Sequence, residues 1–222
     1  MSMSTIISRF KSLYRRGLSV AAIGTVMLVL MGQSVAIAAP STPELAKAVA
    51  AIEALDQMRS TLASSLEGQP SIPTPETFKA VCKPVGMRAQ QLSQENHWQV
   101  KQIATRYRNP AHAPDTVRSR LALAKFNQDS SLQGLWENTT LNGQPGVRYY
   151  RRINVEASCL ACHGAREARP DFIKVNYPDD TAFDFNVGDL RGMYAVFIPD
   201  EVQQALQSSL EASPHGDSTP VL

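Results

Sequence analysis

The pentapeptide Cys159-Leu160-Ala161-Cys162-His163 constrains this chain more than any other stretch. Two cysteines three apart, followed at once by a histidine, have the spacing at which each thiol can join one vinyl group of a porphyrin while the imidazole lies under the iron. A chain that carries it must leave room for a large flat ring beside residues 159–163. The same letters also fit a thiol redox pair or half of a zinc site. A redox pair, however, usually sits by a helix in a βαβ setting, and a zinc site needs a second pair of ligands. The sequence has no second C-x-x-C and no H-x-x-x-H. The reading is one covalently bound haem c, attached through Cys159 and Cys162, with His163 as an axial iron ligand.

Residues 1–39 read as a targeting segment. Arg9, Lys11, Arg15 and Arg16 make a basic start, residues 18–31 an apolar run, and Ala36-Ile37-Ala38 a small-x-small cleavage pattern. Export is the expectation. Counted through residue 39 the apolar stretch nears the length of a spanning helix, so an uncleaved anchor stays open. Of the 22 basic and 20 acidic residues, the segment holds four basic and no acidic ones, which leaves 18 against 20, a formal −2. Neither a nucleic-acid footprint nor a polybasic membrane patch survives that subtraction. Residues 40–212 suffice for a single domain, and residues 213–222 have the composition of a disordered tail. With Cys159 and Cys162 on a haem, the odd cysteine is Cys82.

The order of elements predicts an α+β fold. Leu45, Val49, Ile52, Leu55, Met58, Leu62 and Leu66 recur at helical spacing over 43–66, with Thr42 placed to cap and Gly68 to stop the helix. Such a stripe suits core packing, and it also suits oligomerisation through this N-terminal helix. After a proline-rich break at 69–73, a second helix opens at Thr74-Pro75-Glu76. It carries Phe78, Val81, Cys82, Val85 and Leu92 on one side and is bent by Pro84. A strand is predicted over 98–108, with Trp98, Val100 and Ile103 inward. A helix capped by Asp115 follows, with Val117, Leu121, Ala124 and Phe126 as its apolar side. Next comes a hairpin, 135–141 and 146–155, turning at Asn142-Gly143. Beyond the haem motif lie a short segment at 172–176, a polar loop over 178–189, a strand at 192–198 closed by Pro199, and a helix at 201–210. Helices followed by mostly antiparallel strands, with nothing alternating as βαβ, describe one twisted sheet with long N-terminal helices on one side. The haem is then expected between sheet and helix.

Five landmarks in order extend this reading: Val81-Cys82-Lys83, Arg106-Tyr107-Arg108-Asn109-Pro110, the C-x-x-C-H, Tyr177-Pro178-Asp179-Asp180, and Gly188-Asp189-Leu190-Arg191-Gly192. Over about 45–200 the chain resembles the PAS-like c-type haem domains of a photosystem II-associated cyanobacterial protein and of bacterial histidine kinases and chemoreceptors. The resemblance implies a PAS-like fold whose iron is held by the motif histidine and by a cysteine from the N-terminal helices, here His163 and Cys82. It implies residence in a periplasm or thylakoid lumen, with a membrane complex or a sensor protein as partner. Unlike the kinase and receptor members, this chain shows no signalling domain after residue 200.

From the residues alone, Met87, Met193, His97 and His112 compete with Cys82 for the second axial position. Arg148, Arg151, Arg152, Arg166 and Arg169 flank the motif. Strand alternation puts Arg148 and Arg152 on one face and Arg151 on the other; one or two can pair with haem propionates, and most are expected on a solvated face. No catalytic constellation appears, so the chain is not expected to be an enzyme. A redox or gas sensor, binding CO or NO when reduced, competes with a low-potential electron carrier and with a haem-bearing structural subunit.

Overall fold

The computed structural model describes residues 42–68 and 72–212. The targeting segment, residues 69–71 of the proline-rich break and the tail from 213 lie outside the described residues. The first helix, α1 (Thr42–Ser64), stops two residues before the predicted Leu66, and Gly68 follows with a φ of 70°. Ile52 and Leu55 of its apolar stripe are buried, with Leu45, Val49 and Leu62 packed beside them. That stripe is thus used within the chain.

The predicted bent helix is two helices, α2 (Pro75–Val81) and α3 (Lys83–Asn96). Thr74 caps α2, its side chain accepting from the Thr77 amide. Cys82 is the hinge: it ends α2, donates its own N–H to the Phe78 carbonyl, and starts α3. Proline is tolerated in a first helical turn because the missing N–H has no intrahelical partner there. Pro84 therefore sits at the start of α3 and does not bend a continuous helix.

Strand β1 (Gln99–Ile103) is half the predicted length; residues 104–116 leave the sheet through a 3-10 turn at Pro110–His112. Helix α4 (Val117–Gln128) is capped by Thr116, not Asp115. Its buried side is Ser119, Ala122, Leu123 and Phe126, whereas Val117 and Leu121 are exposed. Asp115 instead receives the Ser119 hydroxyl at 2.5 Å and the Arg148 guanidinium at 2.8 Å. The hairpin β2 (Gly134–Leu141) and β3 (Gln144–Asn154) turns at Asn142 and Gly143, both at positive φ, as a tight two-residue turn requires. After the motif come a single helical turn, α5 (Leu160–His163), then α6 (Asp171–Asn176), β4 (Leu190–Pro199) and α7 (Asp200–Ala212).

The four strands form one antiparallel sheet in the order β1-β4-β3-β2. The chain is α+β. Its helices pack on both faces of the sheet, which corrects the one-sided expectation. Tyr149, Ile153, Tyr194, Val196 and Ile198 meet α1 and α3 on one face, while Tyr150, Met193 and Ala195 meet α4 on the other. Alternate residues of a strand face opposite ways, so β3 and β4 are buried on both sides; β4 reads as a nearly continuous apolar run, whereas β3 carries three arginines among its buried residues.

The arginines of β3 do alternate as predicted, but none forms a solvated face. Arg148 and Arg152 are each 3% exposed. Arg148 reaches Asp115 and Arg152 reaches the Phe126 carbonyl, both on the α4 side. Arg151 takes both carboxylate oxygens of Glu53 at 2.9 Å and contacts Asp56 at 3.2 Å, fastening α1 to the sheet. The Arg151 hydrogen bond holds the Glu53 carboxyl below its ordinary range.

Candidate functional site

The motif lies where β3 runs off the sheet. A 3-10 turn, Ala157–Cys159, leads directly into α5, so Cys159, Cys162 and His163 fall on one tight helical path. Glu156 ties this turn to α1: its Oε1 accepts from Arg59 Nη2 and from the Ser60 hydroxyl, both at 2.6 Å. Arg59 is itself paired with Asp56 at 2.8 Å. The Cys159 sulfur accepts from the Glu156 amide at 3.4 Å.

His163 is held from below by residues 180–185. Its Nδ1 lies 2.7 Å from the Ala182 carbonyl, which can only accept, so Nδ1 carries the proton and Nε2 keeps its lone pair. The amides of Asp184 and Phe185 donate to the carbonyls of Gly164 and His163, and the Phe185 ring stands edge-on to the imidazole at 6.2 Å. Burial, with Arg191 and Arg108 nearby, keeps the imidazole neutral well below its ordinary pKa. A neutral ring oriented through Nδ1 and presenting a free Nε2 is the form a metal requires.

Asp180 organises this support. Its side chain is fully enclosed. One oxygen accepts the Ala182 amide at 2.8 Å, and the other meets Arg169 at 2.8 Å and Arg108 at 3.3 Å. Arg108 also donates to the Cys162 carbonyl at 3.0 Å, linking both sides of the motif to one carboxylate. Removing a buried partner strands the charges it balanced, at about 3–5 kcal/mol. Asp180→Ala is therefore expected to lower unfolding free energy by about that amount in a denaturant titration, with Asp171→Ala, on an exposed carboxylate, as the near-neutral control.

Cys82 joins the motif from the other direction. The residue is exposed as a whole, yet burial of its thiol raises the pKa; Cys159 adds to the effect, and Arg108 and Arg191 oppose it. Burial likewise pushes Cys162 up to about 11, with Cys82 and Cys159 contributing. The three cysteines thus lie within one another's electrostatic reach, and Arg108 and Arg191 act on both Cys82 and His163. Of the competitors, Met193 is fully buried in the α4-side core, Met87 is exposed and His97 is the left-handed cap of α3; the pKa of His112, in the 3-10 turn, is lowered by burial and by Arg191, the arginine that also acts on Cys82 and His163. Among the described residues, no three His, Cys, Asp or Glu side chains converge as an ion-binding cluster.

The sequence reading missed Asp180 as the support of His163, and it missed Arg108 and Arg191 as its charged neighbours. All three fall within the landmark strings, but only the fold brings 106–108, 180–185 and 189–192 around residue 163.

The family model described as Tll0287-like matches residues 39–199. The chain belongs to this family. A solved structure entitled "Crystal structure of the cyanobacterial heme-protein Tll0287" aligns with a TM-score of 0.65 and 56% identity, covering 71% of this chain and 96% of that one. No curated protein matches the chain. The residues of the site fit a c-type haem on grounds of their own. Cys159 and Cys162 are unpaired thiols one helical turn apart, His163 presents Nε2, and Cys82 offers a sulfur from a separate element.

Proposed function

We propose that this Tll0287-like protein binds one haem c covalently through Cys159 and Cys162, ligates its iron with His163 and Cys82 in a PAS-like fold, and acts as a redox sensor. The haem supplies a one-electron couple. The observation that carries the sensor reading is the unequal mounting of the two axial residues. His163 is fixed by the Ala182 carbonyl and the two backbone hydrogen bonds beside it. Cys82 is a hinge between two helices, and no hydrogen bond of the described residues holds its sulfur. An anionic sulfur binds ferric iron better than ferrous iron, so with haem bound Cys82 would be the residue released on reduction, its sulfur taking a proton from solvent, and His163 the one retained.

Release lets α2 and α3 move about residue 82. Ile72, just before α2, and Met87, on α3, are large exposed apolar residues on either side of that hinge in the chain, and they suit reading by a partner protein. The basic and apolar start of the sequence supports export to a periplasm or thylakoid lumen, where a membrane complex is the fitting partner. A switch between 1:99 and 99:1 needs about 5.5 kcal/mol of difference in Cys82 affinity between the two oxidation states.

The test is CO or NO binding to the reduced protein, together with hydrogen exchange across residues 76–92 in both states. Binding of CO and faster exchange in the reduced state are expected. A reduced protein that refuses CO and exchanges identically in both states is a rigid electron carrier instead.

A further inference from the structure

On the α4 side of the sheet a cavity of about 450 Å³ is lined by Arg106, Arg120, Asn127, Phe185, Asp189 and Arg191, among others. Three guanidiniums face one carboxylate there, and none of the three forms an ion pair among the described residues. The Asp189 carboxylate is already engaged by the Asn186 amide at 2.8 Å. The Arg106 guanidinium carbon lies over Phe185, 3.7 Å from the ring centre, and its Nη2 is enclosed with no acceptor. Arg191 Nη1 donates to the Arg106 backbone carbonyl at 3.0 Å, which fixes the Arg191 side chain beside residue 106. Guanidinium does not lose its proton at neutral pH, and partly enclosed cations without a counter-charge are costly. The arrangement therefore calls for an anion, and the planar fork of arginine suits a carboxylate.

The place of this cluster says which carboxylate. Phe185 is the ring that stands edge-on to His163, so the cavity adjoins the imidazole through the thickness of one side chain. A porphyrin attached by its vinyl groups to Cys159 and Cys162 carries its two propionates on the opposite edge. The arginines of β3 are engaged with Asp115, Glu53 and the Phe126 carbonyl.

We infer that Arg106 and Arg191, with the exposed Arg120 beside them, form a carboxylate site that receives the haem propionates. This rests on the haem reading above.

Because the haem is held by thioethers, losing a propionate contact does not release it, and haem staining of the denatured chain verifies its presence in every variant. The variants are Arg106→Gln, Arg191→Gln and Arg191→Lys, with Arg118→Gln, which pairs with Glu137 on β2, as control. Removing a positive charge near the iron favours the ferric state. Arg106→Gln and Arg191→Gln should each move the reduction potential negative and shift the propionate bending bands in resonance Raman spectra. Arg191→Lys, which keeps the charge and loses the fork, should shift the bands with a smaller change in potential, and the control should change neither. If Arg191→Gln fails to fold, Arg106→Gln and Arg191→Lys decide. Haem-bearing variants with unchanged propionate bands overturn the assignment.

Succinate and inorganic phosphate, titrated into the wild-type haem protein, should leave its thermal midpoint unchanged. A saturable rise that Arg191→Gln or Arg106→Gln abolishes would mean a site for free anions and would also overturn it. Wild-type protein that takes no haem stain would fail the haem reading itself, a result distinct from either.

Discussion

Replacing Cys159 and Cys162 together by alanine is expected to abolish haem staining of the denatured chain completely. The wild type is expected to keep its haem through boiling in detergent, since two carbon–sulfur bonds would hold it. Each single replacement leaves one bond and should stain more weakly, and Cys82→Ala should stain fully, since an axial bond does not survive denaturation. Burial pushes Cys162 up to about 11. That shift disfavours the reactive thiolate at neutral pH. Attachment to the finished fold is accordingly slow, and the bonds should form while residues 159–163 are still exposed. Haem that extracts into acidified organic solvent from the wild type would contradict covalent attachment.

The chain's local patterns give most of its elements, because a helix face or a hairpin turn is written in consecutive residues. Asn142-Gly143 is one such case: only residues that tolerate positive φ close a two-residue turn, and the turn sits where they do. Burial of long-range partners is not written that way. Val117 and Leu121 look like the apolar side of α4, yet Ser119 takes the buried position, because Asp115 and Thr116 receive its hydroxyl and amide. Arg148 and Arg152 look like a charged surface until the segment leading into α4 and α4 itself cover β3 and supply Asp115 and the Phe126 carbonyl. The site divides in the same way. Cys159, Cys162 and His163 are legible as a spacing, whereas the support of His163 by Asp180 through Ala182 depends on a loop that returns only in three dimensions. The helix break at Cys82 lies between these cases. Pro84 signals an interruption, and which residue becomes the hinge follows from the preference of proline for a first turn.

Replacing Cys82 by alanine is expected to raise the reduction potential by about 0.2 V, a fraction of the roughly 0.8 V range that axial ligands span. An anionic sulfur stabilises ferric iron, and its loss removes that preference. The ferric spectrum should lose its thiolate charge-transfer bands, and a high-spin iron is expected unless His112, which has Arg191 as a neighbour in common with Cys82, takes the position. Met193 is locked in the core among Ile103, Phe126 and Tyr150. His97 lies at the far end of α3 from residue 82. Met87 shares α3 with the hinge, but its side chain is half exposed. The His163 side should be unaltered, since its hydrogen bond to Ala182 involves nothing on α2 or α3. The variant thus separates the two axial residues: His163→Ala should disturb both oxidation states, while Cys82→Ala should change the ferric state most, because in the proposed switch the reduced wild type would already have released the sulfur. A Cys82→Ala protein whose ferric spectrum and potential match the wild type would assign the second axial position to another residue and remove the physical basis of the switch.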